Sequence, residues 1–265
     1  MSENILVIKF GGHAMSDNDG LFGKKLALAI AQGLKVVVVH GGGPQINSAL
    51  SSAGIESTFL GGFRVTTPET FAVVERVLSD EVGPQVAQTL TQSGVAALAI
   101  SGRHSGTIFA RKQINLVNGS VAELGLVGEV ADIDTTAIQV LLEKNVVPVI
   151  SPIANDVDSD AGLNVNADIA AAAVAGALHA AELIIMTDVA GIYRNWPDAS
   201  SLISIINSAE LSSIKGTFSE GMAPKVQASL DAIAAGAAAV RIIDGTNPEA
   251  FADALAHSGG TLVIA

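Results

Sequence analysis

Short β-branched runs alternate with longer Ala/Leu-rich stretches along the chain, and this alternation restricts the fold more than any other feature. ILVIKF begins at residue 5 and is followed by a helical pattern over residues 19–33; VVVVH is followed by one over 44–53. ALAIS, then VVPVIS with a helical pattern over 167–180, then LIIMTD and VRIID continue the series. Strands that are apolar throughout rather than alternating must be covered on both faces, and long crossovers between them favour parallel pairing. The pattern predicts an α/β fold: a three-layer sandwich with a mostly parallel central sheet and helices on both faces. Between residues 106 and 130 shorter runs flank Asn118-Gly119, a dipeptide suited to a tight hairpin turn, so a β-hairpin insertion is expected there.

With 265 residues the chain can form one large domain or two modest lobes. No Pro/Ser-rich linker divides it, and the expected lobes run over about 1–175 and 176–265. A net charge of -12 disfavours nonspecific binding to nucleic acid or to an anionic membrane. Its longest apolar stretches, such as residues 169–178, are shorter than the ~20 residues a membrane span needs. The absence of cysteine removes disulfides and Cys-ligated zinc, and with no leader-like N-terminus favours a cytoplasmic protein.

In a parallel sheet, ligands bind beyond the carboxyl ends of the strands. Two unusual loops fall at that edge: Lys9-Phe10-Gly11-Gly12 and His40-Gly41-Gly42-Gly43-Pro44. Glycines let backbone N–H groups approach an anion closely, and a following helix N-terminus adds partial positive charge. Pro44 suits a first helical turn. Together these loops predict a cradle for phosphate or carboxylate. Neither a GxxxxGK[ST] loop nor a GxGxxG fingerprint is present, which disfavours P-loop nucleotidases and Rossmann dehydrogenases.

Taken in order, VIKFGGHAM, VVVVHGGGPQIN, GGFRVTTPET, GLVGEV, PVISPI, LNVNADIAAAAVA, IIMTDVAGIY and GMAPKVQASLDAI resemble the amino-acid kinase family over about residues 5–245. The similarity lies closest to the branch that makes an acyl phosphate from ATP and the side-chain carboxylate of N-acetyl-L-glutamate in arginine biosynthesis. A carboxylate is already ionised at neutral pH, so this chemistry needs cations and positioning rather than a general base.

The resemblance implies that Lys9 and Lys225 contact the transferring phosphoryl group and that Asp168 orients both. It implies acceptor contacts from Arg64, Asn164, Asn166 and the backbone of Gly41, Gly42 and Gly43. Nucleotide contacts fall on Gly11 and Gly12, on Asp188, Val189, Ala190, Gly191, Ile192 and Tyr193, and on Thr217, Phe218 and Ser219. Mg²⁺ is expected to arrive on the ATP phosphates, with no metal ligand from the protein. His13 and His104 stand where the family often has asparagine and an acidic residue, which leaves the acceptor open. A same-fold kinase for an aminoadipate derivative and a noncatalytic amino-acid sensor are the alternatives. Arginine-inhibited hexameric members carry an extra N-terminal helix, whereas four residues precede the first strand here, so a homodimer with weak or no arginine feedback is expected.

Overall fold

The computed structural model describes residues 4–11, 20–116, 119–218 and 221–265. In chain order the first half comprises β1 (Ile5–Phe10), α1 (Leu21–Ala31), β2 (Lys35–His40), α2 (Gly43–Ser52), β3 (Phe59–Leu60), β4 (Phe63–Arg64), α3 (Pro68–Arg76), α4 (Gly83–Gln92), β5 (Ala97–Ser101), β6 (Ile108–Lys112) and β7 (Val127–Ile133). The second half comprises α5 (Thr136–Glu143), β8 (Val147–Ser151), β9 (Ile153–Asp156), β10 (Gly162–Val165), α6 (Ala167–Ala177), β11 (Glu182–Thr187), β12 (Ile205–Asn207), α7 (Ser208–Ile214), α8 (Ala223–Ala234), β13 (Ala239–Asp244), α9 (Pro248–Leu255) and β14 (Thr261–Ile264).

Eight strands form one sheet in the order β12-β14-β13-β11-β1-β2-β8-β5. Every pair is parallel except β13 with β14. From β1 the chain builds outward through β2 on one side and, after α6, through β11 on the other. This makes the β2-β1-β11 edge the switch point where open parallel sheets place ligands. The sheet runs unbroken through β1 and β11, and residue 175, where the two lobes were expected to meet, lies within α6.

The period-2 geometry of β1 assigns its side chains to two cores. Ile5 and Val7 join the cluster beneath α5, α6, α7 and α8; Leu6, Ile8 and Phe10 join the cluster beneath α1 to α4 and α9. Because both faces are covered, all six residues of β1 are buried. Lys9 continues the first series, which directs it to the face that carries α6.

The expected antiparallel pairing appears between β6 and β7, extended by a bridge from Asn115 to Val121. Asn118 at its turn lies outside the described residues, while Gly119 takes a left-handed φ of 82°. The pair is more than a surface excursion. With β9 and β10 it closes a four-stranded barrel, whose last strand leads through Asn166 into α6.

Between α3 and α4, residues Val77–Val82 form a π-helical segment that the strand-helix pattern did not predict. Among the described residues no helix is long and apolar enough to cross a membrane.

At the far end of the sheet from the glycine loops, Arg241 of β13 donates from Nε to Glu182 of β11 at 2.7 Å and from Nη1 to the Gly259 carbonyl at 2.8 Å. Both residues are buried. Removing one partner of a buried pair strands the other charge. Glu182→Gln is therefore expected to lower unfolding free energy by about 3 kcal/mol in urea titrations while leaving the turnover of folded molecules unchanged.

Candidate active site

Lys9, Asp168 and Lys225, separated by up to 216 positions in sequence, meet behind the carboxyl end of β1. Lys9 Nζ lies 3.0 Å from Asp168 Oδ1, an ion-pair contact without the alignment of a hydrogen bond. From the first turn of α8, Lys225 Nζ donates to Oδ2 at 3.2 Å. Asp168 is only 4% exposed and Lys9 9%. Burial alone pushes the Asp168 carboxyl up, but the charges of Lys9 and Lys225 outweigh it and hold the carboxyl below its ordinary value. Two ammonium groups on one carboxylate leave a surplus of one positive charge in a nearly dry place.

Local sequence explains the placement. Asn166 caps α6, its Oδ1 accepting from the Asp168 amide at 2.8 Å and the Ile169 amide at 3.4 Å. Asp168 therefore sits in the first turn of α6, aimed at β1. Lys225 also occupies a first turn, where a cation opposes the helix dipole. That unfavourable position makes sense once its ammonium is tied to Asp168. Gly11 completes the arrangement, since a Cβ there would lie 3.0 Å from Lys9 Nζ.

On one side of these charges a cavity of about 260 Å³ is lined by Lys9, Gly41, Gly42, Gly43, Arg64, Asn164, Asn166 and Asp168. Arg64 is buried, which pulls its guanidinium pKa down, and its ring neighbour Phe59 lies 4.6 Å from Cζ. Arg64 donates to Ser57 Oγ and, at 2.8 Å, to Asn47 Oδ1. These two bonds use two of its five donors and leave three for a ligand.

Asn164 donates to Thr66 Oγ1 at 3.2 Å, and Thr66 in turn donates to the Arg64 carbonyl at 2.7 Å, so a buried hydroxyl links the two. Thr66 had no distinguishing sequence signal. The Asn166 carbonyl oxygen is committed to its cap, which restricts any ligand contact from that side chain to its amide nitrogen. Gly41 also differs from expectation: its N–H donates to the Phe10 carbonyl at 2.7 Å, joining the two glycine loops rather than facing a ligand.

Gly42 approaches the π-helical segment so closely that a Cβ would lie 2.6 Å from Leu78 Cδ2. Gly42 and Gly43 open α2, where backbone N–H groups have no intrahelical acceptor.

On the other side, beyond β11, a cavity of about 830 Å³ is lined by Thr187, Asp188, Val189, Tyr193, Thr217 and Phe218, together with Trp196, Ile214 and Met222. Ala190, Gly191 and Ile192 do not line it. Ile192 is core, its amide donating to Thr261 Oγ1 at 2.8 Å. Gly12, His13 and Ser219 lie outside the described residues. His104 lines neither cavity; it is exposed, with Nε2 3.5 Å from Glu75 Oε1.

The family model for the amino acid kinase family matches residues 4–244. The chain belongs to the amino acid kinase family. Among its relatives, a protein of Paenarthrobacter aurescens (strain TC1) named acetylglutamate kinase is 44% identical over 257 residues, covering 93% of this chain and 81% of that protein. A Streptomyces coelicolor protein of the same name is 43% identical over 242 residues, covering 91% and 79%. A solved Streptococcus mutans UA159 protein, smu.665, superposes with a TM-score of 0.82 at 28% identity over 99% of both chains. Carbamate kinase from Giardia lamblia, at 19% identity, covers 100% of this chain and 99% of its own with a TM-score of 0.74, a likeness of fold. The sequence expectation of this family and of an α/β fold with a mostly parallel sheet is thus met.

In this amino acid kinase, His40 supports the glycine loop from beneath. Its fully buried ring can donate only from Nδ1 to the Gly41 carbonyl, at 2.8 Å, which leaves Nε2 as an unpartnered acceptor. Burial pushes its pKa down to about 4, against a smaller opposing effect of the Gly41 carbonyl.

A depressed histidine binds protons first in the unfolded chain, so its contribution to stability is complete above pH 6.5 and declines as pH falls toward about 4. Asp168 contributes in a lower window, being lost only as pH falls below the ordinary carboxylate range. Urea unfolding at pH 7.5 and 4.5 should therefore show a loss of about 2 to 3 kcal/mol attributable to His40. His40→Leu, measured over the same interval, is expected to lose correspondingly less.

Proposed function

We propose that this amino acid kinase transfers the γ-phosphoryl group of ATP to the side-chain carboxylate of N-acetyl-L-glutamate, giving the acyl phosphate used in arginine biosynthesis. The observation that carries the reading is the Lys9–Asp168–Lys225 cluster, of which Lys9 and Asp168 line a small polar cavity at the end of β1, with a larger cavity at the end of the adjacent strand β11. Relatives named acetylglutamate kinase at 44% identity supply the acceptor.

The carboxylate acceptor is itself the nucleophile and is ionised at neutral pH, so no side chain has to remove a proton. The obstacle is bringing one anion against a polyanion. Arg64 holds the acceptor's α-carboxylate through its remaining donors, Asn164 meets the acetamido group, and the amides of Gly42 and Gly43 face the phosphoryl oxygens. Lys9 reaches the transferring group from the acceptor side and Lys225 from the nucleotide side. Asp168 pairs with both ammonium groups and fixes their separation, so that stabilisation is in place before charge develops. The lobes over about 1–175 and 176–265 carry acceptor and nucleotide, respectively.

Mg²⁺ fits this site as an ion carried by the nucleotide. Both Asp168 oxygens face lysines, and the described residues contain no group of three His, Asp or Glu side chains that could form a cage. Carried on the nucleotide, it would supply charge neutralisation.

We further propose a cytoplasmic homodimer. The cysteine-free sequence suits a reducing compartment, and edge strand β5 presents Leu98, 49% exposed, beside unpaired backbone.

Hydroxylamine trapping of acyl phosphate with ATP and Mg²⁺ should give selective turnover of N-acetylglutamate over glutamate, aspartate and N-acetyl-aminoadipate. Turnover of another acid in its place would reassign the acceptor, and silence on all four would reject the kinase reading. Lys9→Ala and Lys225→Ala should each lower kcat by about 10²- to 10³-fold with a much smaller rise in KM for the acceptor. An unchanged kcat in either variant would remove that lysine from the reaction.

A further inference from the structure

The larger cavity has one aromatic side chain, Trp196, that the family resemblance did not assign. Trp196, the chain's one tryptophan, is 66% exposed and lines this cavity. A large ring left in water at the mouth of a concave site is informative where a scattered surface residue is not. Hydrogen bonds hold the turn that carries it. The Asp198 amide donates to the Asn195 carbonyl at 2.8 Å, closing a turn around Trp196. The Arg194 amide donates to the Ser201 carbonyl at 2.9 Å and the Asn195 amide to Ser201 Oγ at 3.0 Å, which anchors that turn.

Tyr193 meets the indole edge-on, with ring centroids 5.1 Å apart and planes at 68°. Such a contact occupies at most one face of the indole, so the other stays available for a planar ligand. Ile214, Phe218 and Met222 supply apolar surface elsewhere in the same cavity. A flat, amphipathic heterocycle matches this lining, and a bicyclic base overlaps an indole more fully than a monocyclic one.

We propose that Trp196 stacks on the base of the phosphoryl donor and selects purine over pyrimidine nucleotides. The inference rests on the nucleotide occupying this cavity, as in the proposed function. Trp196 acts on donor affinity and choice, not on the phosphoryl-transfer step.

The lone tryptophan is its own reporter. In the unsubstituted protein, ADP should change its emission saturably, and calorimetric affinity for UDP should be at least about tenfold weaker than for ADP. Equal affinity for the two would overturn the inference without any variant. Trp196→Ala should weaken ADP binding about tenfold or more, Trp196→Phe far less, and neither should alter the affinity for inorganic tripolyphosphate.

Unchanged ADP affinity in Trp196→Ala, or equal losses for ADP and tripolyphosphate, would also overturn it. If Trp196→Ala keeps its ADP affinity while acyl phosphate still forms, stacking is wrong and the reaction stands. If stacking is confirmed and no acid is phosphorylated, the kinase reading falls while the base contact stands.

Discussion

The buried carboxylate of Asp168 is the interaction on which the remaining architecture depends. Removing a carboxylate from water is costly, and two ammonium groups at 3.0 and 3.2 Å are what make its ionised form the favoured one. Each lysine arrives on a different element: Lys9 on β1, Lys225 on α8. Their meeting therefore fixes the distance between the central strand and two helices of the covering layer. A buried ion pair is weak grounds for stability, since well-packed apolar groups often serve as well. Here the return on the desolvation cost is position, and the surplus positive charge is directed where anions are to be held.

Backbone chemistry does the same work on the acceptor side with neutral groups. The Gly41 amide ties β2's loop to β1, His40 holds the Gly41 carbonyl from below, and Gly42 lies against Leu78 of the π-helical segment. A π-helical turn widens the helix locally and re-aims its side chains. In this chain it brings Leu78 and Val82 to the glycine loop and turns Ser79 toward Ser151, with oxygens 2.9 Å apart. The loop is thus contacted from three directions, through Gly41 and Gly42, at the point where the chain enters α2. Preorganisation of this kind is what makes backbone dipoles effective in stabilising charge.

How far the sequence revealed these features depended on their range. β1, β2, β8, β11 and β13 were legible because strands covered on both faces read as uninterrupted apolar runs; β5, at the sheet edge with Leu98 exposed, was legible from its apolar run alone. The antiparallel pairing of β6 and β7 was legible from its turn and its shorter runs. Closure with β9 and β10 was not, because β9 and β10 have only four residues each and pair across the fold. The π-helical segment was hidden because its six residues carry no marker of their own between α3 and the Gly83-Pro84 that opens α4.

At the site, Lys9, Asp168, Lys225 and Arg64 were found through ordered motifs, and the folded chain brings the first three together. The N-cap role of Asn166 is local, an asparagine placed immediately before a helical run. Thr66 and Trp196 escaped because a buried threonine and a loop tryptophan have no spacing that distinguishes them. Ile192 was over-read: within a motif that resembles a nucleotide loop, its side chain faces the core.

The balance of charge shows why local geometry, and not composition, governs this chain's choice of ligand. A net charge of -12 argues against polyanionic partners on the surface, yet the proposed reaction brings together a triphosphate and a dicarboxylate. The two statements agree because surface charges are screened beyond roughly 8 to 10 Å in physiological salt, whereas buried groups are not. A ligand inside the cleft responds to Lys9, Lys225, Arg64 and the amides at the start of α2, all within a short reach and in a poorly screened medium. The net charge of -12 disfavours nonspecific competition by nucleic acid for the protein. Selection for small anions then follows from the depth of the positive charge, since only a ligand that can enter the cleft reaches it.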